Sequence, residues 1–166
     1  MATSTLIQKL DRVTDPLVTG TVGSTVSTMD RAQTEWFQTS SAITAGDWVQ
    51  FDVALAGLSL ADRVLFVKTA AATALGNPLT CGVALASVTG TAAAPARVQV
   101  VVGGLVSSAR VAAATAQGAP LCGAVAAAGT GLTNVAANIA PVCGVALEAE
   151  GTYTAGFAPA WVIKQF

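Results

Sequence analysis

The side chains able to move a proton or attack a bond are few in this chain: nine Asp and Glu, eight Lys and Arg, three cysteines and no histidine. Without histidine the Ser-His-Asp and Cys-His arrangements are excluded, and acid–base work near neutral pH falls to carboxylates and lysines. Asp47 and Asp52 are the nearest acidic pair in a readable strand, but their odd separation sets them on opposite faces of it. Glu148 and Glu150 share a face if extended, and as they open a Gly-containing loop they read as a solvated loop edge. A Ser-Lys arrangement would need Lys68 or Lys164 as its base, and no local motif accompanies either; Lys68 follows Arg-Val-Leu-Phe-Val and reads as a strand end. Cys81, Cys122 and Cys143 each precede a glycine in apolar surroundings, without Cys-x-x-Cys spacing or a neighbouring cation, and read as small buried thiols. Gly129-Thr-Gly131-Leu-Thr-Asn134 lacks the third glycine of a dinucleotide fingerprint, and no Gly-Lys-Ser/Thr follows any glycine cluster. The expectation is a protein that is not an enzyme and that takes neither cofactor nor metal.

The elements that would position such groups are those of one domain, since 166 residues suffice for a sizeable core and are too few for two ordinary domains and a linker. Charged residues make up 10% of the chain, against about 25% in an average soluble protein. Charge this sparse implies that part of the surface is covered by other subunits. A net charge of −1 and a pI near 5.1 supply no basic field for nucleic acid. Mean hydropathy is high at +0.64, yet Gly and Pro cut every apolar stretch between Thr69 and Leu147, so no window of about 20 strongly apolar residues forms a membrane span. The N-terminus lacks the basic head and apolar run of a secretory signal, and synthesis in a cytoplasm is expected.

Ala is abundant and favours helix on propensity alone, but Gly or Pro recurs throughout from Ala45 onward, with Val- and Thr-rich segments between. Strands are predicted over residues 47–53, 63–68, 97–102 and 161–166, whereas residues 58–64 suit either one helical turn or a loop. Within this region the chain repeats itself. Pro78-Leu-Thr-Cys81-Gly-Val-Ala-Leu85 is echoed by Pro141-Val-Cys143-Gly-Val-Ala-Leu147, and each is followed by Pro-Ala-x-Val, at Pro95 and at Pro159. Upstream, Thr44-Ala-Gly46-Asp-Trp-Val49 stands beside Thr115-Ala-Gln-Gly118-Ala-Pro-Leu121. The reading is an all-β domain over residues 41–166, a small pseudo-duplicated β-barrel or sandwich of two related units at about 43–104 and 112–166.

Residues 1–40 differ in character and are expected to form an N-terminal arm. Leu6, Ile7, Leu10 and Val13 fall at helical spacing between Ser4 and Pro16, which suits a short amphipathic turn, and an extended arm is the alternative. Residues 17–28, LVTGTVGSTVST, are β-prone and Gly-loosened, as befits a segment that orders by adding a strand to a neighbour. Trp48 alternates away from the face of Val49, Phe51 and Val53, so it and Trp36 suit an interface, with core packing as the alternative.

The Gly46-Asp47-Trp48-Val49 strand start, the Pro-led Cys-Gly-Val-Ala-Leu strands and the Val-rich closing strand together resemble the capsid decoration, or cement, proteins of tailed bacteriophages of the β-tulip type, over about residues 43–166. The resemblance implies a homotrimer on the outer surface of the virion capsid that bridges neighbouring major capsid proteins. Candidate capsid or subunit contacts are then Leu6, Ile7, Leu10, Leu17 and Val18 of the arm, with Trp36 and Trp48. The alternative is a β module of a tail or spike for adhesion or carbohydrate binding, with Trp48, Trp161 or Tyr153 as stacking surfaces.

Overall fold

A computed structural model describes residues 32–70, 79–122, 132–133, 141–152 and 154–164. Among them the chain is all-β. Its strands are β1 (Ala32–Thr39), β2 (Ala42–Ile43), β3 (Trp48–Phe51), β4 (Val67–Thr69), β5 (Thr80–Ala84), β6 (Val88–Thr89), β7 (Ala96–Arg110), β8 (Pro120–Cys122), β9 (Leu132–Thr133), β10 (Val142–Ala146) and β11 (Phe157–Val162). One short helix, α1 (Leu60–Arg63), interrupts them, with the Ser59 hydroxyl capping it by accepting from Asp62 N–H.

The main sheet runs β4-β3-β5-β7-β11-β10-β8-β9, with β1 also paired to β7, and β2 and β6 form a separate pair. β7 is the long element that holds the sheet together. Its first part pairs with β1 and β5, its second with β11, and the change of partner falls at Gly104, which is opposite both Ala32 and Val162. Gly104 has φ +94, a backbone conformation that glycine adopts without a Cβ clash. The sheet bends there, and β1 reaches round to β4 through a parallel bridge between Gln38 and Phe66 and a Gln38 N–H to Leu65 O bond of 2.8 Å. The strands β1, β7, β5, β3 and β4 thus close on themselves.

Two cores lie on opposite sides of the sheet. One fills the closed half with Phe37, Ile43, Val49, Val67, Cys81, Val98, Val100 and Val102. The other, centred on Trp48, draws Val83 and Val101 from the first half together with Leu121, Cys143, Ala146, Ala160 and Val162 from the second. Alternation along β3 therefore sends Trp48 and Val49 into different cores, both fully buried.

The strand order reads the same inward from either end. β5 and β10, which carry the two Cys-Gly-Val-Ala sequences, each stand third from an end. Each pairs with a bulge at its cysteine: the register passes from Thr80 to Gly82 opposite β3 and from Val142 to Gly144 opposite β8. Each cysteine sulfur then donates to the carbonyl facing the bulge, Cys81 to Val49 O at 3.5 Å and Cys143 to Leu121 O at 3.3 Å. The glycine that follows is required by close approach. A Cβ on Gly82 would fall 2.0 Å from Val101 O, and one on Gly144 would fall 2.8 Å from Trp161 O. Gly46 N–H and Gly118 N–H likewise bond Ala84 O and Ala146 O, both at 2.8 Å.

Four expectations are corrected. Residues 32–39, assigned to the arm, form β1, because their alternation buries Phe37 and Thr39 against β7. The segment 63–68 begins as the end of α1, and its strand starts only at Val67. The Pro-Ala-x-Val echo is out of register: Leu85 N–H bonds Gln99 O where Leu147 N–H bonds Pro159 O, so Pro159 inside β11 corresponds to Gln99 and not to Pro95. The last strand spans Phe157–Val162, earlier than residues 161–166.

Candidate interaction surface

The groups that could carry chemistry are tied into the fold. Asp47 is buried; its Oδ2 accepts from Thr44 N–H at 3.0 Å and its Oδ1 lies 3.1 Å from Arg110 Nη1. Arg110 is the hub of this region. Its backbone N–H bonds Gly46 O, its carbonyl accepts from Trp48 Nε1 at 3.0 Å, and its guanidinium stacks 5.7 Å over the Phe157 ring. Asp52 meets Lys68 Nζ at 2.7 Å, and Glu35 stands 3.9 Å from Lys164 Nζ. Glu150 accepts from Gly156 N–H and from Ala114 N–H, so it staples two turns instead of edging a solvated loop. The hypothetical lysine bases are therefore each beside a carboxylate, and Asp47 and Asp52 serve separate ion pairs.

The cysteines are free thiols, all buried. Burial pushes Cys81 and Cys143 up to about 12, and it also raises Cys122. Such thiols stay protonated and are poor nucleophiles. Among the described residues no group of three His, Cys, Asp or Glu is placed to hold a metal ion, and no helix is long and apolar enough to cross a membrane.

What remains is surface. Trp36 projects from β1 with 58% of its area exposed, with Arg97 stacked 5.4 Å from its ring and Gln99 opposite it on β7. Gln99 Nε2 in turn donates to Thr34 Oγ1 at 3.1 Å, which gives this patch a polar margin. Trp161 is 43% exposed on β11, and Val64 and Leu65 are exposed in the turn after α1. A shallow depression lined by Ser107, Ser108, Thr154, Phe157, Ala158 and Pro159 opens where β7 and β11 slip register.

Trp48 is a correction. It is the largest fully buried side chain, at 0% exposure, and it presents nothing to a partner or a glycan. Alternation gave its face, but that face is a second core. Leu6, Ile7, Leu10, Leu17, Val18 and Tyr153, with the Gly129-Thr-Gly131 segment, lie outside the described residues. Arg110 was not singled out beforehand, since its partners stand some sixty residues away in sequence.

No protein-family model matches the chain, and no curated protein matches it in sequence. Among solved structures, the fold is similar to the crystal structure of the N base of head fibre gp8.5 of bacteriophage phi29. That likeness has a TM-score of 0.52 at 14% identity and covers 80% of this chain and 94% of that one. The shared feature is the fold.

Proposed function

We propose that this chain is a structural protein of a bacteriophage head, a decoration protein that sits on the outer capsid surface and bridges neighbouring major capsid proteins. The observation that carries this reading is the likeness to the head-fibre base, which extends over nearly the whole of that structure and most of this one. Three features support it. Asp47, Asp52, Lys68 and Arg110 are held in ion pairs and the cysteines are buried, the chain is poor in charge, and Trp36 with Arg97 offers an aromatic-cationic anchor of the kind that dominates protein interfaces. A homotrimer suits the role, since several weak contacts acting together hold a shell protein without any strong single site.

The test is the copy number of the chain in purified virions, measured by mass spectrometry against the most abundant capsid protein. Near-stoichiometric abundance supports decoration. A handful of copies would favour instead a tail or spike module for adhesion or carbohydrate binding, for which Trp161 supplies an exposed indole, and absence from virions would overturn both.

A further inference from the structure

Two guanidinium groups of this chain stack on aromatic rings: Arg110 lies 5.7 Å from the centre of the Phe157 ring, and Arg97 lies 5.4 Å from the centre of the Trp36 ring. The first arrangement is complete. Arg110 Nη1 stands 3.1 Å from Asp47 Oδ1, so that ring, guanidinium and carboxylate form one unit. The second has the ring and the guanidinium without the carboxylate. Lys68 and Lys164 each stand beside a carboxylate, and Arg63 donates to the carbonyls of Leu58 and Val53, but among the described residues no carboxylate or carbonyl accepts from the Arg97 guanidinium.

The sheet sets the surroundings of this incomplete unit. Gln38 of β1 is opposite Arg97 of β7, and Trp36 is opposite Gln99. Directly paired residues share a face, so these four side chains form one patch, in which Trp36, Gln38 and Arg97 are exposed and Gln99 is half-buried. Glu35 alternates to the other face of β1, toward Lys164. Arg97 is therefore the one charge among two amides and an indole. A guanidinium held flat on a ring is weakly hydrated and already ordered, and its fork of N–H donors matches the two oxygens of a carboxylate. A partner without an anion at this point would bury the charge unmatched, and a cationic one would be repelled. The charge and the donor geometry both select a carboxylate.

We propose that Trp36 and Arg97 form a receptor for an acidic side chain of a protein partner, which supplies from outside what Asp47 supplies to Arg110 from within. The identity of that partner rests on the decoration reading above, under which it is an outward-facing Asp or Glu of the major capsid protein.

Two measurements on the full-length chain test this. In the first, the nitrogen-15-labelled protein is titrated at constant ionic strength with a short blocked peptide carrying one central Glu, and separately with its Gln counterpart. The Glu peptide is expected to shift the Arg97 Nε–H and Trp36 indole N–H resonances severalfold more than the Gln peptide does, and Arg97→Gln is expected to abolish the Trp36 response. The indole N–H of Trp48, bonded to the Arg110 carbonyl, should stay in place throughout and reports that each variant is folded. Equal shifts with the two peptides, or a Trp36 response that survives Arg97→Gln, would overturn the proposal. In the second, Arg97→Glu is expected to weaken co-sedimentation with capsids by roughly tenfold or more. Undiminished binding of that variant would overturn the receptor and leave the decoration reading standing. Failure of the unmodified chain to bind capsids, beside a Glu-specific shift, would overturn the decoration reading and support the receptor.

Discussion

A Cβ added to Gly144 would lie 2.7 Å from Cη2 of Trp48, so the indole that fills the main core is seated directly on the backbone of the second Cys-Gly-Val-Ala strand. The two sequence repeats meet at this point: a residue of β3 in the first half rests on a residue of β10 in the second. Gly144→Ala is expected to destabilise the protein by about 1–3 kcal/mol through overpacking, read as a lower urea midpoint at unchanged slope. Adding Trp48→Phe should be markedly less costly in the Gly144→Ala background than alone, since the atoms that clash are gone, and a double-mutant cycle measures that coupling.

The two tryptophans assigned alike by sequence should part company on mutation. Trp48→Ala opens a large cavity and orphans the Arg110 carbonyl, so a loss of about 3–5 kcal/mol is expected. Trp36→Ala should change stability by under about 0.5 kcal/mol, as for an exposed site, while weakening co-sedimentation with capsids if the proposed contact is correct. Chemical denaturation and a capsid pull-down, run side by side, check both.

Asp47 should be sensitive in a graded way. Asp47→Ala removes the acceptor for Thr44 N–H and the partner of Arg110 together, and a cost of about 1–3 kcal/mol is expected, moderated by the partial exposure of Arg110. Asp47→Asn keeps an acceptor for Thr44 and should cost less. If the two variants unfold at the same urea concentration, the turn bond contributes nothing and the ion pair carries the whole effect.

The thiols give a pH signature. Desolvation holds the Cys81 and Cys143 thiols up at about 12 in the folded chain, against 9.0 for an ordinary thiol. The raised folded value means the associated stability is fully present below about pH 9 and is lost as pH rises toward 12, because only the unfolded chain gains by ionising there. Stability should therefore fall along this alkaline limb, and a Cys81→Ala, Cys143→Ala variant should show a flatter one. At neutral pH, alkylation of the native protein by iodoacetamide should run no faster than global unfolding.

Much of this architecture was legible because glycine and cysteine mark it. The repeated Cys-Gly-Val-Ala pointed to β5 and β10, whose bulges and close approaches require just those small residues. The second echo misled by four residues because Pro-Ala-x-Val records composition without pairing, and only the Leu85 and Leu147 hydrogen bonds reveal that Pro159 stands where Gln99 does. Residues 32–39 read as part of the arm because Arg31 and Glu35 continue the charged, Ser- and Thr-rich character of the residues before them; in β1 only Phe37 and Thr39 are buried, so the strand keeps a polar look. For Trp48 the sequence left interface and core open, because alternation tells which face a residue takes and not what covers that face; the structure puts it in the core. Trp161 was named as a stacking surface in the alternative reading, and the alternation of β11, which buries Ala158, Ala160 and Val162, leaves it exposed. Arg110 left no local trace, since its role depends on a long strand bending back to the turn at Gly46.

The pairing of β1 with β7 also sets how the molecule would carry force. The partners run side by side from Ala32↔Gly104 to Thr39↔Ala96, so a pull transmitted along the axis of β1 from the residues before Ala32 loads these pairs together in shear, where a sideways pull would unzip them one at a time. Under such a load the domain would behave as a mechanical clamp, with the whole overlap of β1 on β7 engaged at once.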